Sequence, residues 1–146
     1  MIVVITALAA LFGLGTALFF VRLNHAESTR AGEAFEYLSD IQSAQQSHYS
    51  RTGKYTKNLD ELDLSKPTPA YFSVGKLWVR HWGGDRASWQ LTLLRAGVSP
   101  IYGDYQITFS ESGFDETSSS INEALRPQWS TSLSLLQCMT LAKLER

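Results

Sequence analysis

Few residues of this chain could do chemistry, and their spacing assigns them little. Three histidines, His25, His48 and His81, and one cysteine, Cys138, are the available soft ligands and nucleophiles. No H-E-x-x-H or comparable spacing joins the histidines, so surface or structural roles are expected for them. A single cysteine makes neither an intramolecular disulfide nor a four-ligand zinc site. Asp60, Glu61 and Asp63 could form a general acid/base pair or a cation site, but beside Leu59 and Leu62 they fit the wet side of a short helix. Asp104, Asp115 and Glu116 carry the oxygen chemistry that calcium takes, yet they match no calcium-loop spacing and are expected in solvated loops. Trp78, Trp82 and Trp89 could offer an aromatic platform to bases or sugars; strands also need such residues for packing, and packing is the expectation. No G-x-S-x-G elbow, P-loop or G-x-G-x-x-G after a strand occurs. No catalytic, cofactor-binding or metal-binding residue is therefore assigned, and an enzyme is not expected.

The elements that would position these residues are more informative. A chain of 146 residues is one domain's worth. Thirteen Lys and Arg against fourteen Asp and Glu give a net charge of −1, with no basic excess to grip a phosphate backbone, so dedicated nucleic-acid binding is not expected. Every charged residue lies from Arg22 onward. The uncharged run Met1 to Val21 would span about 30 Å as a helix, the thickness of a bilayer's hydrocarbon core, and it predicts a membrane helix. A cleaved secretory signal fits less well, because the run has no Lys or Arg n-region and no A-x-A-like site near Asn24 to Glu27. Within it Ala9, Gly13 and Ala17 form a small-residue ridge that would let another helix approach closely. Gly13 and Gly15 weaken the helix locally. Arg22 and Arg30 follow the span, which by the positive-inside rule alone favours a cytoplasmic domain.

Beyond Arg22 no proline occurs until Pro67. Ala31, Ala34, Leu38, Ile41 and Ala44 recur at helical spacing, with Phe35 and Tyr49 flanking, while Glu33, Glu36, Asp40, Gln42, Gln46 and Ser50 lie opposite. This predicts one continuous helix to about residue 50, stopped by Gly53, with residues 1–23 in lipid and 24–52 as its amphipathic continuation against a globular domain. Residues 53–146 form the head. Asn58 to Glu61 resembles a capping box opening a short helix. Alternating apolar residues predict strands at Tyr71 to Trp82, Ser88 to Arg95 and Tyr102 to Ser110, joined by turns at Gly83 to Asp85 and Ala96 to Gly103. The turns favour an antiparallel meander, and its apolar face would cover the helix stripe. Asp115 to Ser120 is expected as a polar loop. Trp129 to Arg146 is expected as a terminal helix, with a strand as the alternative. The fold class is α+β: a long N-terminal helix on an antiparallel sheet of three to four strands.

In this order the elements resemble a type IV pilin or a pseudopilin of the type II secretion system. Met1-Ile-Val-Val4 followed by Ala and Gly is similar to the hydrophobic heart of the pilin helix. Ser43 to Tyr49, leading into Thr52-Gly-Lys-Tyr55 and Leu59-Asp-Glu-Leu62, is similar to the end of that helix and the turn after it. Pro67 to Phe72 and Tyr105 to Phe109 both resemble pilin sheet entries. The resemblance covers roughly residues 1 to 115. Two features depart from it. The Gly-Phe cleavage site and the glutamate near the mature N terminus are absent, so the chain is expected either to begin late, at an internal methionine, or to be a divergent subunit. The lone Cys138 excludes the C-terminal disulfide loop of many major pilins, which pseudopilins and ladle-shaped pilins also lack.

The resemblance implies a subunit that polymerises through its N-terminal helix, with Ala9, Leu11, Gly13, Gly15 and Ala17 in the filament core. Ala34, Phe35, Leu38, Ile41, Tyr49 and Tyr55 would join helix to sheet. It implies copies of itself, other pilin-like subunits, the inner membrane and an assembly machinery as partners, and no cofactor. It also implies a periplasmic head, since a dedicated leader outweighs Arg22. The alternative is a single-pass, membrane-anchored periplasmic binding domain that never polymerises.

Overall fold

With no proline before Pro67 to remove a hydrogen bond, α1 (Ile2–Thr52) runs unbroken for 51 residues, about 75 Å at the usual rise. The computed structural model describes residues 2–82, 86–97 and 101–128, with side chains from Arg22 onward except at Trp82 and Arg86. Arg51 lies in the last turn, where positive charge suits the carbonyl end of the helix. Gly53 ends it at φ 73°, its N–H donating to the Tyr49 carbonyl at 2.7 Å, a left-handed cap that a Cβ would strain.

The expected short helix at Asn58 is only one 3-10 turn, Leu59–Glu61. Asn58 does cap it, accepting from the Asp60 N–H at 3.1 Å. The reciprocal half of a capping box is missing, however: the Asn58 N–H donates to Thr56 Oγ1, and Glu61 accepts from the same Thr56 hydroxyl.

An antiparallel sheet of five strands follows, and α1 packs on one of its faces. The strands are β1 (Phe72–Val74), β2 (Trp78–Trp82), β3 (Arg86–Arg95), β4 (Gln106–Ser110) and β5 (Gly113–Phe114). β1 and β2 both pair with the same side of β3, and β4 pairs with its other side. The single strand predicted over Tyr71 to Trp82 is thus two. Val74 pairs with Leu93 and Trp78 with Gln90, so residues 75–77 face only 91 and 92, and one extra residue makes a β-bulge. Gly75 permits it. Its N–H donates to the Thr92 carbonyl at 2.9 Å, and a Cβ there would stand 2.7 Å from that oxygen. The third predicted strand starts later than expected, at Gln106, because Gly103 (φ 64°) turns the chain just before it. β5 was not anticipated.

The extra residue reverses the in-and-out alternation. Phe72 on β1 is buried, and unbroken alternation would put Trp78 on the same face; instead Val79 faces inward and Trp78 is 60% exposed. The inward residues of β3 and β4, namely Trp89, Leu91, Leu93, Ile107 and Phe109, close over the helix stripe. Phe35 meets Phe109 edge-on at 5.8 Å and Phe114 at 5.1 Å. Each side chain buried here contributes about 1.5–3 kcal/mol.

The polar run Asp115 to Ser120 does more than cross solvent. It lies along the outer edge of β4, where the Ser119 hydroxyl accepts from the Thr108 N–H and the Ser120 hydroxyl from the Gln106 N–H, at 2.9 and 3.0 Å. The Asp115 and Ser120 amides return bonds to the Thr108 and Gln106 carbonyls. Serine hydroxyls thereby satisfy an edge that would otherwise invite another strand. The 3-10 turn Glu123–Leu125 then seats Leu125 in the core. The turn expected at Gly83 to Asp85, part of that at Ala96 to Gly103, and the terminal helix expected at Trp129 to Arg146 lie outside the described residues.

Candidate functional site

The face of α1 against the sheet is where this molecule concentrates its specific contacts. Ala31, Ala34, Phe35, Leu38 and Ile41 have no exposed surface there. Tyr49 and Tyr55 are half-buried and stack on each other at 4.7 Å, tying the helix end to the turn after it. Ala9, Leu11, Gly13, Gly15 and Ala17 belong to the backbone of α1, and their side chains lie outside those described. Three residues of the expected wet face reach across to the head: Gln42 donates to the Glu111 carbonyl at 3.2 Å, Asp40 accepts from the Ser65 and Lys66 amides at 2.7 and 2.9 Å, and Glu36 accepts from Lys66 Nζ at 3.0 Å.

Both ends of the stripe are polar. At the far end Gln45, fully buried, pairs with Thr56 as a strand would, its Nε2 donating to the Thr56 carbonyl at 2.8 Å and its Oε1 accepting the Thr56 N–H at 3.1 Å. At the near end Glu27, 3% exposed, meets Arg95 at the end of β3. Arg95 Nε and Nη2 donate to the carboxylate at 2.6 and 3.2 Å. Tyr105 adds its hydroxyl at 2.9 Å and Arg30 its Nη1 at 3.1 Å. The remaining Arg95 nitrogen, Nη1, donates to the carbonyls of Tyr71 and Ala96. Arg30 also lies 4.1 Å over the Tyr71 ring, and Tyr102 donates to Asn24 at 3.3 Å. Sequence reasoning gave Glu27, Gln45 and Arg95 no part in joining helix to sheet.

The electrostatics follow from that geometry. The Arg95 hydrogen bond, with Tyr105 and Arg30 adding to it against the cost of burial, holds Glu27 below the usual carboxylate range. The same bond raises Arg95, while burial and then the Glu27 hydrogen bond push Tyr105 well up. All three therefore keep one protonation state through neutral pH. A carboxylate already holding four donors does not act as a general base; it fastens the helix to the sheet.

Elsewhere the chemistry stays sparse. Asp60, Glu61 and Asp63 are exposed, and among the described residues no group of three or more His, Cys, Asp or Glu could hold a metal ion. Asp115 accepts from the amides of Thr117 and Ser118 and so shapes its own turn. His48 Nδ1 donates to the Lys54 carbonyl at 2.9 Å, while His25 and His81 are exposed. Of the tryptophans expected to pack, Trp89 does, at 2% exposure, whereas Trp78 does not, because the bulge turns it outward. A cleft of about 380 Å³ opens beside it, lined by Trp78, Arg80, Ser88, Gln90 and Glu111, with Trp89 and Ser110 completing the wall. No family model matches this chain, and neither a curated protein nor a solved structure matches it. Among the described residues no helix is long and apolar enough to cross a membrane; the side chains of the uncharged run at residues 1–21 lie outside them.

Proposed function

We propose that this chain is a structural subunit of a type IV pilus or a type II secretion pseudopilus, polymerising through its hydrophobic N-terminal helix. One observation carries the reading: a single unbroken helix has an uncharged sequence over residues 2–21 and a sheet-packed face from Glu27 to Gln45. Such a helix can be held by lipid, or by copies of itself, at one end while presenting a folded head at the other. Head-to-tail association of identical copies generates an open filament instead of a closed ring. In this reading the monomer waits in the inner membrane with its head in the periplasm and is built by an assembly machinery beside other pilin-like subunits.

The test is to express the full chain with a type IV assembly system and image sheared surface fractions by electron microscopy. Filaments are expected from the full chain and none after removal of residues 1–25. Equal filaments from the shortened chain would sink the proposal. A full chain that stays monomeric in the membrane would leave the alternative, a tethered periplasmic domain.

A further inference from the structure

Trp78 stands outward at 60% exposure on an edge strand, an unfavourable place for the largest apolar side chain. The backbone puts it there by a specific device. The bulge at residues 75–77 needs Gly75, and without the extra residue the indole would turn toward the core. Bulges of this kind re-aim side chains beside binding sites. Lys76 Nζ lies 5.0 Å from the ring centroid and steadies the indole.

The cleft beside the ring, about 380 Å³, falls at the low end of ligand-pocket size, roughly 300–1,000 Å³. Its polar lining is mixed. Arg80 supplies guanidinium donors, and its side chain has no hydrogen-bond or ion-pair partner among the described residues. Ser88 supplies a hydroxyl. Gln90 offers an amide whose Nε2 reaches only a long contact, 3.5 Å, to Asp115. Glu111 accepts the Trp89 N–H through Oε2 and leaves Oε1 unengaged among the described residues. An apolar ring face ringed by both donors and acceptors suits a molecule with an apolar C–H face and hydroxyls at its rim. A phosphate would meet the Glu111 carboxylate at close range.

We propose that this cleft binds a neutral carbohydrate, with Trp78 stacking on a sugar ring and Arg80, Gln90 and Glu111 bonding its hydroxyls. The site stands whether or not the chain polymerises, because every residue in it belongs to the head.

The experiment uses the full chain in a zwitterionic detergent without a sugar headgroup, titrated with neutral mono- and disaccharides of glucose, galactose and N-acetylhexosamines and, separately, with an oligothymidine. At least one neutral sugar should bind. Trp78→Ala should weaken that binding by about tenfold or more, Trp78→Tyr should recover part of it, and Gln90→Ala should also weaken it. Because Trp78 and Gln90 point away from the core, circular dichroism of each variant should match that of the parent. Raising salt from about 50 to 200 mM should leave the sugar affinity unchanged. The proposal is overturned if no neutral sugar binds at about 10 mM, or if binding survives Trp78→Ala. It is equally overturned if the oligothymidine alone binds, through Trp78 and with loss at higher salt, which would make the cleft a nucleic-acid site.

Discussion

Cutting the tie between Glu27 and Arg95 gives the sharpest test of how the helix is fixed to the head. Both side chains are almost wholly buried, at 4% and 3% exposure, so water cannot replace a lost partner. Arg95→Met leaves the carboxylate with Tyr105 and the more exposed Arg30, and should cost about 3 kcal/mol, the lower end for breaking a buried pair. Glu27→Leu is worse. It strips Nε and Nη2 of their acceptors and also frees the Tyr105 hydroxyl, so about 4 kcal/mol is expected. The double variant removes both charges and keeps apolar bulk. The Tyr105 hydroxyl is then orphaned in the core, while Arg30 and the Tyr71 and Ala96 carbonyls, which also lose a partner, stay open enough for water to replace it, for a total of about 1–2 kcal/mol. Two singles summing to about 7 kcal/mol and a double at about 1–2 kcal/mol make a steeply non-additive cycle. The assay is urea unfolding of the full chain in detergent, followed by tryptophan fluorescence, since Trp89 sits in the core of the head at 2% exposure. If each single cost under about 1 kcal/mol, or the double equalled their sum, the apolar seam alone would be holding helix to sheet.

Four further outcomes are expected. Lowering the pH should cost stability through Glu27: its folded pKa is depressed, so its contribution is whole above the ordinary value of 4.5 and drains away as pH falls below that, and a pH series of unfolding midpoints should show a shallower acid limb in Glu27→Gln. Phe35→Ala should cost about 3–5 kcal/mol by thermal unfolding, because the cavity would open between Phe109 and Phe114. Gly75→Ala should cost about 1–3 kcal/mol by the same measurement, since its Cβ would press on the Thr92 carbonyl; an unchanged midpoint would mean that the bulge is soft. Replacing Gly13 and Gly15 together by alanine should stiffen the helix by roughly 2 kcal/mol and reduce filament number or flexibility under electron microscopy, relative to Leu11→Ala, without preventing insertion.

Periodicity carried the sequence reading further than residue type did. The spacing of Ala31, Ala34, Leu38 and Ile41 gave the helix and its buried side, and alternation through Trp89, Leu91, Leu93 and through Ile107 and Phe109 gave two strands and their buried face, the short connections between strand candidates suggesting that they run antiparallel. The same spacing runs on to Glu27 and Gln45 on the helix and to Arg95 on β3. All three were passed over because they are polar, although their positions are core positions and two of them carry opposite charges. What could not be read was the bulge. Gly75 looks like any glycine in a strand, and the register it imposes depends on a carbonyl of Thr92, seventeen residues away in the chain. Trp78 was misplaced with it. The serines of Asp115 to Ser120 were equally opaque, since hydroxyls that cap a sheet edge and hydroxyls that face water have the same composition.

The position of Arg95 also sets how the molecule carries tension. Any pull along α1 from its N-terminal end meets its first buried tie to the head at Glu27, and Glu27 passes it to the last residue of β3. β3 has neighbours on both sides, β1 and β2 on one and β4 on the other. A load entering there is shared between ladders in two directions, so no single outer strand has to carry it alone.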